Sequence, residues 1–212
     1  TAFYEVRFEV RAKTAGAKLL FDNISVVYLG DSTDPNLDFE SGENGEKVFN
    51  WNMYERRENP NKPGEFEEGS FGAYTAVKAE GASKDGSAAV HISKPQAGDV
   101  QLYLQSIMLE VSGNTDYLLS YDAMAQGNKK GSLQICVRQY KNAYGDNVKD
   151  EAEAFKWVTD AYEYGSFDWK SCGGAFKTAK DARFVKIWLV SNTSDAMDMY
   201  IDNVALTKTE SI

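Results

Sequence analysis

Apolar and polar residues alternate with a period of two in short runs along this chain, which restricts it to packed sheets. Tyr4, Val6, Phe8 and Val10 alternate with Glu5, Arg7, Glu9 and Arg11. Further strands are predicted over 18–29, 72–79, 86–93, 100–111, 117–125, 133–140, 184–190 and 198–207. Turn residues separate these runs and helical periods are few. A strand with one apolar face needs a second layer to cover it. The expected fold is therefore all-β, an antiparallel two-sheet sandwich. Residues 36–42 read as a short strand ending in a Gly turn, and 55–70 as a loop rich in Glu, Asn, Pro and Gly. Residues 141–166 lack the alternation and are expected to hold a short helix or a long loop.

The closing run Met199–Thr207, with its Asp202-Asn203 pair, has an earlier counterpart in Leu20-Phe21-Asp22-Asn23-Ile24-Ser25-Val26-Val27. A strand precedes each: Val10 lies 12 residues before Asp22, and Leu189 lies 13 before Asp202. Such repetition points to tandem modules. Residues 1–30 then read as the last strands of a preceding module, 31–35 as a linker stopped by Pro35, and 36–208 as a complete module.

Charge removes several function classes. The net charge of −9 argues against nucleic acid or an anionic membrane as partner. No apolar run approaches the ~18 residues of a membrane span. Cys136 and Cys172 make no metal-ligand pattern, and parity alone leaves a single bridge between them open. His91, the one histidine, reads as a solvated strand residue.

Aromatic residues make up 13% of the chain, and strand parity sorts some of them. Leu102 and Leu104 belong inward, which turns Gln101, Tyr103 and Gln105 to the other face. Leu133, Ile135 and Val137 inward put Gln134, Cys136, Arg138 and Tyr140 outward. Val185, Ile187 and Leu189 inward put Lys186 and Trp188 outward. A sheet face carrying Gln, Arg and aromatic rings differs from an ordinary Lys/Glu/Thr surface and reads as a binding surface. Flat rings stack on the apolar side of a pyranose, and Gln amides and Arg forks meet its hydroxyls.

Several phrases occur in a telling order: NLDFESG at 36–42, Trp51, VQLYLQS at 100–106, SGNTDYLLSYDAMAQG at 112–127, FDWKSCGGAFKTAKDARFVKIWLVSN at 167–192 and MYIDNVALT at 199–207. This series resembles the carbohydrate-binding modules of families 4/9, 16 and 22, family 16 most of all. The resemblance implies a jelly-roll β-sandwich without catalysis of its own. It would bind a β-linked polysaccharide or oligosaccharide of the glucan or mannan type. It would serve as accessory to a glycoside hydrolase, in a secreted or cell-surface protein beside neighbouring modules. It also implies a structural Ca²⁺ at the positions matching Glu40 and Asp202. From family 16 it carries a sugar-sandwiching role to Trp51, with Trp157 in the insertion as the opposing wall. The expected carbohydrate-binding set is thus Trp51, Gln101, Tyr103, Gln105, Gln134, Arg138, Trp157 and Trp188. Trp169, before Gly173-Gly174 read as a turn, is expected to be structural.

Two other readings compete. A spacer or adhesive module of a large extracellular protein would use the aromatic face as a protein contact. A jelly-roll polysaccharide-degrading enzyme would need two facing carboxylates or a base, and no ExDxxE-like strand motif is present.

Overall fold

A computed structural model describes residues 35–126, 133–158 and 165–209. The preceding-module strands expected over 1–30 lie outside the described residues. The described chain is an antiparallel jelly-roll sandwich of two sheets. Its strands are β1 (Trp51–Glu58), β2 (Phe66–Gly69), β3 (Thr75–Ala79), β4 (Ala89–Lys94), β5 (Val100–Ser106), β6 (Leu109–Glu110), β7 (Asp116–Ala125), β8 (Gln134–Tyr140), β9 (Phe155–Trp157), β10 (Phe167–Lys177), β11 (Phe184–Ser191) and β12 (Met197–Lys208). The first sheet runs β2-β1-β5-β11-β8-β9, with the short β6 also paired to β11. The second runs β10-β7-β12-β4-β3. Among the described residues no helix is long and apolar enough to cross a membrane.

The core lies between the sheets. Leu102, Leu104, Ile135, Val137, Val185, Ile187 and Leu189 face Val90, Ile92, Leu119, Tyr121, Met199 and Ile201, all buried. Each such side chain stabilises the sandwich by about 1.5–3 kcal/mol through removal from water. Alternation holds along β12 until Asp202, where a register shift and the left-handed Asn203 (φ 50°) bulge the strand. Inward facing then resumes one position late, at Val204.

Three sequence expectations are corrected. Residues 36–42 form bends rather than a strand, with Asn36 and Phe39 at positive φ. Residues 51–58 form a full strand, although 55–58 read as loop. The described residues of the 141–166 segment hold a 3-10 turn at Glu151–Glu153, capped by the Asp150 carboxylate, and then β9, which extends the first sheet. The pairing of Cys136 and Cys172, left open by the sequence, does not occur: the two lie in different sheets with no disulfide between them.

The Gly173-Gly174 pair is not a turn but the middle of the eleven-residue β10. Its glycines permit close approach of two backbones. A Cβ on Gly174 would lie 2.0 Å from the Val158 carbonyl oxygen, and one on Gly173 2.3 Å from that of Leu119. Gly174→Ala is expected to destabilise the fold by about 1–3 kcal/mol through overpacking. Thermal unfolding checks this, and an unchanged midpoint would show that the two segments separate freely.

Candidate functional site

The outer face of the first sheet carries its own side-chain cluster, separate from the core. Register sets it in rows across the strands. Tyr54 of β1 stands opposite Tyr103 of β5, which stands opposite Val190 of β11, and that opposite Gln134 of β8. The next row reads Asn52, Gln105, Trp188, Cys136, Trp157. A third joins Lys186, Arg138 and Phe155.

The rings in these rows lock together. Tyr54 and Tyr103 stack at 4.9 Å with planes 5° apart. Trp188 stands at right angles to both, 6.3 and 5.8 Å away, and Phe155 meets it edge-on at 5.1 Å from the other side. Trp188 is left only 4% exposed. The Arg138 guanidinium lies over this aromatic floor, 5.2 Å from Trp188 and 5.5 Å from Phe155. Burial pushes the Tyr54 phenol up to about 12, helped by the charge of Glu68. Burial and then the neighbouring Arg138 lower the Lys186 ammonium. Burial likewise raises the Cys136 thiol, so it is held protonated and unreactive beneath the rings.

A depression of about 520 Å³ opens over this floor, bounded by Tyr54, Glu68, Arg138, Tyr144, Lys186 and Trp188. Flat, accessible rings stand at two places near it: Tyr144 is 94% exposed and Trp157, at the sheet edge, 51%. These are the planes free to stack on a ligand, while Trp188 is the floor.

Seven of the eight expected binding residues come together on this face. Gln101 accepts a hydrogen bond from the Tyr103 hydroxyl at 3.1 Å, and Gln105 is largely covered beside Trp188. Gln134 sits half-buried at the start of β8. Trp51 is the exception, and its expected role as a stacking plane is corrected. It occupies an inward position of β1, packs on Phe39 at 5.4 Å and donates its Nε1–H to the Asn36 carbonyl at 3.0 Å. The same parity turns Tyr54 outward, and sequence reasoning missed it. Tyr144 and Phe155 were missed too, because the insertion carries no alternation from which to read their direction.

No family profile and no curated protein matches the sequence. Solved structures do. The CBM22-1 xylan-binding domain of Paenibacillus barcinonensis Xyn10C aligns over 82% of this chain and 93% of its own at 13% identity and TM-score 0.50. TmCBM61, in complex with beta-1,4-galactotriose, aligns over 82% and 96% at 18% identity and TM-score 0.50. This is the fold of the carbohydrate-binding modules. The enzymatically active domain of bacteriophage CBA120 tailspike protein 4 also matches, at 13% identity and TM-score 0.55. The chain, 82% of it aligned, spans only 22% of that one.

On this carbohydrate-binding-module fold, Glu40 and Asp202 sit at the bulge between the opening bends and β12. Asp202 is buried; its Oδ1 accepts from Asn203 N–H at 2.6 Å, while Oδ2 is buried without a partner. Burial, with the charges of Asp85 and Glu40 adding to it, pushes the Asp202 carboxyl up to about 6. Glu40 Oε1 accepts from Ala88 N–H at 2.7 Å, and Lys78 Nζ donates to the Glu40 and Gly42 carbonyls at 2.6 and 3.1 Å. No three His, Cys, Asp or Glu side chains among the described residues are arranged to hold a metal. Asp202 Oδ2, a buried carboxylate oxygen without a hydrogen-bond partner, is nevertheless a ligand of the kind a hard cation takes, and the remaining ligands would be main-chain oxygens and water.

Proposed function

We propose that residues 36–208 are a noncatalytic module that binds a β-linked polysaccharide of the glucan or mannan type across the outer face of the first sheet. The module would target an attached glycoside hydrolase, in a secreted or cell-surface protein with neighbouring modules. The observation that carries this reading is the preassembled floor of Tyr54, Tyr103, Trp188 and Phe155 with exposed Trp157 and Tyr144 near its margins. Trp157 and Tyr144 are among the most exposed large apolar side chains of the described residues, and both stand by this floor.

Trp157 and Tyr144 supply the stacking planes, and Gln101, Gln134 and Arg138 the hydroxyl partners. Trp157→Ala is expected to weaken binding by about 2 kcal/mol or more, and Gln134→Ala by about 0.5–1.5 kcal/mol, with little change in unfolding midpoint. Titration calorimetry against the best hit of a glycan array measures both. Binding unchanged in Trp157→Ala and Tyr144→Ala together would move the ligand off this face.

Calcium belongs to the same proposal as a structural ion held by Asp202 with Glu40. In EDTA, Asp202 stabilises the fold only while protonated, because its carboxyl is raised from 3.8 to about 6 in the folded chain. That contribution is full below about pH 4 and is lost by about pH 6, a swing of about 3 kcal/mol. Asp202→Asn should therefore be more stable than the parent at neutral pH in EDTA. Excess Ca²⁺ should raise the melting temperature of the parent and not of the variant. An equal Ca²⁺ response in both would remove Asp202 from any metal site.

A further inference from the structure

On the outer face, Lys186 of β11 and Arg138 of β8 are directly opposite in register. Like charges so placed repel one another. Neither is ion-paired to a carboxylate among the described residues, although the chain carries 32 acidic residues against 23 basic ones. Arg138 spends one nitrogen, Nη2, on the Asn147 amide oxygen at 3.3 Å, and its Nε–H is buried without a partner. In the same wall the indole Nε1–H of Trp188, a side chain almost wholly buried, also has no partner. Two cations and two orphaned donors thus meet at one end of the depression, and apart from the neutral Asn147 amide and the aromatic faces under Arg138 no group of opposite charge is paired with them among the described residues. The acidic group in the same depression, Glu68, is on β2, three strands from β11, or about 14 Å at ordinary strand spacing.

A neutral sugar hydroxyl can accept from a donor but carries no charge, and it leaves the repulsion between Lys186 and Arg138 in place. A carboxylate answers the repulsion: its charge sits between the two cations, and its planar oxygens match the guanidinium fork. We infer that the bound polysaccharide is a polyuronate, the C6-carboxylate counterpart of a β-linked glucan or mannan, with one uronate carboxylate seated between Arg138 and Lys186. This rests on the glycan-binding reading above and narrows its ligand. The sugar ring keeps its apolar face for Trp157, and the carboxylate sets its register on the rows. Burial and the neighbouring Arg138 both disfavour the Lys186 ammonium, and an anion seated between the two cations opposes that effect.

The experiment is titration calorimetry on the full chain with size-matched β-linked oligomers of mannuronate, glucuronate, mannose and glucose, at low and high salt. The acidic oligomers are expected to bind about tenfold or more tightly than the neutral ones, with an advantage that shrinks as salt rises. Lys186→Met and Arg138→Gln should each narrow the acidic-to-neutral ratio by about tenfold. Lys186→Met, a change on the sheet surface, keeps the test open if Arg138→Gln disturbs packing. Neutral oligomers binding as well as acidic ones would overturn the uronate assignment and leave the glycan module standing. A sulfated neutral oligomer binding as tightly as the uronate would also overturn it, since the pair would then accept any anion. Binding by none of the oligomers, with Trp157→Ala indistinguishable from the parent on a broad array, would overturn both readings.

Discussion

Glu55→Ala is expected to lower the stability of the sandwich by about 3–5 kcal/mol, enough to leave much of the chain unfolded at moderate temperature. Glu55 lies fully buried in the middle of β1, where its carboxylate takes the place of a turn. Oε2 accepts from the backbone N–H of Phe71 and, at 2.8 Å, of Gly72; Oε1 accepts from that of Tyr74 at 2.6 Å. The loop leading into β3 has no other partner for these donors, and truncation orphans all three. Glu55→Gln should fall between parent and alanine. Its single oxygen can serve Phe71 and Gly72, but its NH₂ then meets the Tyr74 N–H. Denaturant unfolding of the two variants gives the order, and equal stability of parent and Glu55→Ala would show that water replaces the carboxylate without loss.

Trp51→Ala should be about as severe, about 3–5 kcal/mol, because it empties an aromatic site in the core and frees the Asn36 carbonyl. Asn36 itself ties the opening bends together, donating to the Phe49 carbonyl and accepting from Ser41 N–H, both at 2.9 Å. Loss of Trp51 thus loosens the segment beside the Asp202 bulge. Trp51→Phe keeps most of the bulk, removes the N–H and should lose about 1–2 kcal/mol. Its folded form should bind glycan as the parent does. A Trp51→Phe protein that unfolds normally but has lost the ligand would return Trp51 to the binding surface.

Much of the architecture could be read from residues where burial and polarity agree. In β5, β8 and β11 the inward Leu102, Leu104, Ile135, Val137, Val185, Ile187 and Leu189 are aliphatic and nearly every outward residue is polar or aromatic, so parity alone placed Gln101, Tyr103, Arg138 and Trp188 on one face, although each strand also buries one inward polar residue, Ser106, Gln139 or Ser191. β1 offered no such agreement. Its sequence WNMYERRE has no β-branched residue and buries a glutamate, since the value of Glu55 lies in a loop that sequence spacing does not reveal. The glycine pair of β10 carries the ordinary signature of a turn. Its real cause, the nearby carbonyl of Val158, comes from a segment 16 residues earlier in the chain. Cover on the outer face escaped for the same reason. Trp188 points as parity requires, yet rings contributed by β1, β5 and β9 enclose it, and only the assembled sheet brings them there.

The last two strands of the chain are interior strands of their sheets: β11 lies between β5 and β8, and β12 between β7 and β4. During synthesis, β5 and β8 therefore wait with unpaired edges until residues 184–191 have emerged, and β4 and β7 wait for 197–208. No pair of neighbours along β1-β5-β11-β8 is consecutive in sequence, the kind of wiring that makes folding slow and concerted. Half-made modules carry open β edges and invite mispairing, so chaperone dependence should persist until residues 184–208 have emerged. A nascent chain stopped before Phe184 would lack not a frayed end but the middle of both layers, and the aromatic floor of the first sheet would be completed in a single step when β11 inserts.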